Sequence, residues 1–227
     1  MNFLEFLGHG VCHQRAVLSF YSEQLHMPLC SRCTGLYLGF IFSLIILVAL
    51  ERKVKARFPG RKIITVLIIL FCLMAVDAVL TFFKIVAASN TVRFATGFSV
   101  GWFLILVLLP IKNSVIFCRK ILYKESYLDK KKNFVIWLAA AILISMAFIL
   151  TYKKALFVWN ILSFFGLVVF FSFIVCILLF ALNRKLANSI CSKARYVIFF
   201  VISFFISAGF ISLSAILKSL IHPYFRS

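Results

Sequence analysis

Acidic side chains are scarce in this chain: six Asp and Glu stand against 25 Lys and Arg, for a formal charge of +19. Charged residues of both signs together make up only 14%, too few to coat a soluble protein of 227 residues. There is no Ser-His-Asp pattern, no phosphate-cradling glycine loop and no His-Glu-x2-His, so the signatures of common soluble enzymes are missing. Met1–Gly10 lacks the basic leader and apolar run of a cleaved signal peptide, and the first spans are expected to serve as their own insertion signal. What is abundant is apolar surface. A hydrophobic content of 64% and a mean hydropathy of +1.09 place the chain in the membrane class.

About 20 apolar residues cross a hydrocarbon core, and six such runs are present: Leu36–Leu50, with its helix starting near Cys30 or Ser31, then Ile63–Phe83, Phe94–Ile111, Phe134–Thr151, Leu156–Leu182 and Val197–Leu217. The basic residues fall between these runs on alternate sides. Seventeen of the 25 lie in the connections after the first, third and fifth spans, and eight on the other side. The positive-inside rule then puts both termini outside the cytoplasm. The large charge is therefore topological, and nucleic-acid binding is not expected. The fold class that follows is an all-α polytopic bundle of six transmembrane helices in the cell membrane. Residues 1–33 form an extracytoplasmic Cys-His segment, and residues 34–227 form the six-span domain.

That segment holds the strongest chemical signal. Cys30-x2-Cys33 brings two thiols to one point at a helix start, where the helix dipole favours thiolate and Pro28 suits entry into the helix. Cys12, His13 and His26 add soft and borderline ligands, so five candidates stand where tetrahedral zinc needs four. The histidines favour metal, zinc before iron or copper, over disulfide exchange, which does not require them. Gln14 and Arg15 are placed to hydrogen-bond ligands or a bound anion.

Asp77 is the one acid inside a span. It sits roughly 9 Å below the outer edge, at 1.5 Å per residue, and needs a partner, with Lys84, Arg93 and Arg32 as candidates. It can be a buried ion pair, a general base or a further ligand. Asn90 and Arg93, three residues apart, share a helical face with Gly97 and Gly101 that is either a groove for an anionic head group or a solvated loop end. Thr34-Gly35-x3-Gly39-Phe40 and Thr96-Gly97-x3-Gly101-Trp102 echo each other at the starts of the first and third spans, which is either close helix packing or an internal repeat. Cys72 and Cys176 within spans, and Cys118 and Cys191 on the reducing side, read as isolated packing residues. His9 is a stray candidate ligand, and His222 reads as interfacial.

Cys12-His13-Gln14, Pro28-Leu29-Cys30-x-Arg32-Cys33-Thr34-Gly35-x-Tyr37-x-Gly39, Asn90-x2-Arg93 and Thr96-Gly97 together resemble the membrane-protein family catalogued as domain of unknown function 2085. The resemblance covers about the first half of the chain. It implies a multi-pass membrane fold and the importance of these positions, and it supplies no reaction.

Three functions stay open at this level. The first is an extracytoplasmic metal site of Cys12, His13, His26, Cys30 and Cys33 acting on an amphiphilic or anionic substrate. In that reading Asp77 and Arg93 are catalytic, and Asn90, Arg15 and Arg32 bind substrate. The second is a thiol-disulfide oxidoreductase in which Cys30 and Cys33 cycle, Cys12 resolves and a quinone takes the electrons. The third is a transporter or binding protein without chemistry, resting on Asp77.

Overall fold

The computed structural model describes residues 3–12, 14, 16–22, 25–87, 89–183 and 187–221. Its helices are α1 (Phe3–Val11), α2 (Ser31–Leu50), α3 (Arg61–Phe82), α4 (Asn90–Ile116), α5 (Lys131–Thr151), α6 (Leu156–Leu182) and α7 (Lys193–Ile221). Four short strands accompany them: β1 (Tyr21–Ser22), β2 (Leu25–His26), β3 (Lys55–Arg57) and β4 (Tyr123–Ser126). The helices α2 to α7 are each long and apolar enough to cross a membrane, in agreement with the six expected spans. The third is longer than its apolar run at both ends. Ser89 caps it by accepting a hydrogen bond from the Val92 amide at 3.4 Å, and Pro110 is accommodated within it.

The centre of the bundle is α2 against α4. The two helices run parallel, and the echoed glycines face each other across the contact. A Cβ on Gly35 would lie 2.8 Å from the Phe98 amide nitrogen and closer still to the Phe94 carbonyl oxygen, and one on Gly39 would lie 3.0 Å from the Trp102 nitrogen. In return Gly97 and Gly101 press on the backbones of Arg32 and Leu36. The two motifs thus serve one function, close helix packing.

The other helices attach to this pair. Gly166 of α6 lies against the Tyr37 backbone of α2. On α5 the Trp137 Nε1 donates to Ser43 Oγ at 3.0 Å, and Ser43 donates to the Trp102 carbonyl at 2.8 Å, so one hydroxyl joins α2, α4 and α5. The rings of Phe94 and Phe148 stack at 4.0 Å. The helices α3, α5 and α7 turn most of their apolar side chains outward, as spans facing lipid do.

At the bundle end away from the cysteines, β3 and β4 pair in parallel. Lys55 there meets Glu51 at 2.9 Å and Glu125 at 3.4 Å. Lys112, which the sequence places among the basic connections, is buried inside α4 instead. Its ammonium lies 4.4 Å from the Tyr196 ring centre and 5.0 Å from that of Phe173. Contrary to the expectation that they are isolated packing residues, Cys118 and Cys191 pair. They are bonded to each other across 73 residues, beside the Phe117–Ile190 bridge.

Two measurements check this architecture. Gly97→Leu forces a side chain into the Arg32 backbone and should cost on the order of 3 kcal/mol, seen as early thermal unfolding in detergent. Gly209→Ala, where a Cβ meets nothing within 4 Å, should change stability by no more than about 1 kcal/mol. Titration of thiols in denaturant with chelator should find five before reduction and seven after, because five of the seven cysteines are unbonded.

Candidate metal centre

Cys12 follows the last turn of α1, and that helix is fixed to α7. Gly10 packs so closely that a Cβ there would lie 2.8 Å from the Ala215 nitrogen, and Ser214 Oγ donates to the Gly10 carbonyl at 2.9 Å. Lys218 of α7 then donates to the carbonyls of His9 at 2.8 Å and Cys12 at 3.0 Å. This lysine is invisible as a site residue in the sequence, since its role depends on α1 folding back onto the last helix. Gln14 makes a second tie. With φ at 44°, it sends its side-chain amide to the carbonyls of Glu5 at 2.6 Å and Pro28 at 3.0 Å. That amide holds backbone together, whereas the sequence offered it to ligands or an anion.

Cys30 is the N-cap of α2 and Cys33 stands in its first turn. The Cys30 amide donates to Cys12 Sγ at 3.4 Å, which ties the end of α1 to the start of α2. The three sulfurs lie within 4.8 Å of one another. Cys12 and Cys30 are buried among Leu29, Phe164, Leu167 and Ile211, while Cys33 is half-buried. Hydrogen bonds from the Cys12 and Cys33 thiols hold the Cys30 thiol well below its ordinary range, with a smaller pull from Arg93. The same contact with Cys30 pushes Cys12 up.

The remaining candidates divide. His26 is exposed on β2 with its ring 5.9 Å from that of Tyr21, apart from the three sulfurs. His13 and Arg15 lie outside the described residues. Asp77 takes Arg32 as its ion-pair partner, from among the three basic residues considered. Asn90 donates to the carbonyls of Val17 and Ser19, at 3.4 and 3.2 Å, and so clamps the amino-terminal segment to α4. Arg93, only 2% exposed, shares with Arg32 a cavity of about 390 Å³ walled by Leu18, Val79, Phe82 and Phe83. The segment before α2 therefore folds into the bundle. Phe20 is buried between Phe94, Phe148 and Tyr152, and Ser22 donates to the Lys153 carbonyl at 2.9 Å.

Fold and site together define a six-span helical membrane protein with a three-cysteine cluster at one end of its bundle. Residues 12–107 match the family described as predicted membrane protein (DUF2085), which bears out the resemblance in its motifs. An uncharacterized protein of Methanocaldococcus jannaschii is 32% identical over 101 residues, 44% of this chain. The aligned part spans 63% of that relative's length. No solved structure matches.

Asp77→Asn should leave Arg32 half-shielded without its counter-ion and cost about 1–3 kcal/mol. Thermal unfolding of Asp77→Asn, Arg32→Gln and the double variant should show coupling, the double costing less than the sum.

Proposed function

We propose that Cys12, Cys30 and Cys33 hold a zinc-class ion at the extracytoplasmic membrane surface, as the centre of an enzyme acting on an amphiphilic substrate. The observation that carries the reading is the meeting of three sulfurs from two separate segments within 4.8 Å. Tetrahedral zinc with sulfur at about 2.3 Å sets neighbouring sulfurs roughly 3.8 Å apart, a spacing compatible with this arrangement. Three protein ligands with a fourth position open is the pattern of catalytic zinc, whereas a fourth protein ligand closes the site as a structural one. His13, next to Cys12, is the candidate fourth ligand, and His26, exposed on β2, is the weaker one.

The ion, when bound, supplies Lewis acidity and a lowered pKa for bound water. The chain's own part is orientation. Arg93 and Arg32 supply positive charge beside the cysteines, and Asp77 holds Arg32 and is the nearby proton acceptor. Arg15 and Asn90 complete the substrate contacts in this reading. The surplus of Lys and Arg at the opposite end supports the outward orientation of the cysteines.

The second reading, thiol-disulfide exchange with a quinone as electron acceptor, draws on the same geometry. Cys30 and Cys33 would cycle and Cys12 lies within reach of both as the resolving thiol. Elemental analysis of the purified chain in detergent, grown with metal and kept from chelators, separates the two. About one metal per chain, lost in Cys30→Ser and Cys33→Ser, is expected. A metal-free protein that gains a Cys30–Cys33 disulfide on oxidation would overturn the metal reading in favour of exchange.

A further inference from the structure

We propose that the cavity between α2, α3 and α4 binds the acidic headgroup of a lipid, with Arg93 as the anion receptor. Arg93 is a full positive charge held at 2% exposure in a membrane protein, a placement that demands a partner. Its Nε has no hydrogen-bond partner, and no ion pair to it exists among the described residues. Arg32 has the same unpartnered Nε, but its charge is met by Asp77. Two guanidiniums and one carboxylate therefore leave one positive charge facing the cavity, which a single negative headgroup complements.

The walls indicate a lipid and not a soluble anion. Val79, Phe82 and Phe83 line the cavity from α3 and its end, and they are 52%, 71% and 66% exposed. That helix buries only Leu67, so the cavity's outer wall is an apolar surface open to the bilayer. At about 390 Å³ the space suits a headgroup with the first part of a chain. An acyl chain can leave along the exposed apolar side chains of α3. Arg32 and Cys33 are neighbours in the first turn of α2, so the headgroup site lies at the same end of the bundle as the sulfurs. This names the substrate class for the proposed function and rests on that reading for its link to the cysteines, while the binding itself needs no metal.

The test is equilibrium binding of fluorescent phosphatidic acid to the full chain in uncharged detergent, with competition by unlabelled phosphatidic acid, phosphatidylcholine and inorganic phosphate. Saturable binding displaced by phosphatidic acid alone is expected, weakened at least about tenfold by Arg93→Gln. Val79→Trp places its ring over the cavity from the lipid side, where folding tolerates it, and should block binding while metal content is retained. Asp77→Asn raises the local charge and should tighten binding about threefold or more. Binding unchanged in Arg93→Gln and Val79→Trp, or competed equally by phosphatidylcholine or phosphate, overturns the proposal. Metal content read on the same samples keeps failure of the lipid site distinct from failure of the metal centre.

Discussion

Four glycines without side chains allow α2 and α4 to touch backbone to backbone, and the rest of the bundle depends on that contact. Lipid tails are as apolar as leucine, so burying apolar side chains does little to hold helices together inside a bilayer. Close dispersion contact must supply the attraction, and it falls off within an ångström of separation. Gly35, Gly39, Gly97 and Gly101 remove the atoms that would hold the axes apart. Gly166 extends the same device to α6, and the aromatic side chains of α5 fill the groove that remains on the other side.

The register of this crossing decides what else meets. Gly97 against the Arg32 backbone brings the first turns of α2 and α4 to one level, so the start of α2 and Arg93 share one end of the bundle by construction. The helices α2, α4 and α6 all begin at this end, as the Gly166–Tyr37 contact and the Ser22–Lys153 bond require. Three helix N-termini then add partial positive charge to that of the arginines. An end built in this way stabilises thiolates and anions alike. The amino-terminal segment closes over it, with Phe20 inserted between α4 and α5 and α1 fixed to α7.

The spans were legible because bilayer thickness imposes a length on every apolar run, and the glycine motifs because spacing alone reveals a helix face. The start of α2 at Ser31 was legible too, since Pro28 and the Cys30-x2-Cys33 motif mark it. Pairings between distant segments were not. Asp77 had three candidate partners by depth, and only the rotation of α3 about its axis selects Arg32. The Cys118–Cys191 bond spans 73 residues and depends on how two connections cross, which composition does not record. His26 looked like a ligand because it stands four residues before Cys30, but its pairing across β1 and β2 sets it beside Tyr21. Lys218 and Gln14 hold the cluster through carbonyl groups, and a carbonyl partner leaves no trace in side-chain type.

Charge and sulfur chemistry bear on the orientation together. With the basic end inside, the Cys118–Cys191 bond sits in the reducing compartment, where a persisting disulfide is uncommon and one that forms is usually transient or redox-sensing. In that proposed orientation the three cysteines at the other end would face an oxidising medium, in which thiols 4.8 Å or less apart pair readily. They stay reduced there if a metal occupies them, since a coordinated thiolate is withdrawn from exchange. The reverse orientation would relieve both tensions, but it would carry seventeen Lys and Arg residues toward the outer side against the insertion rule, in exchange for eight. In the orientation proposed from charge, a metal at the cysteines is what would keep the cluster reduced.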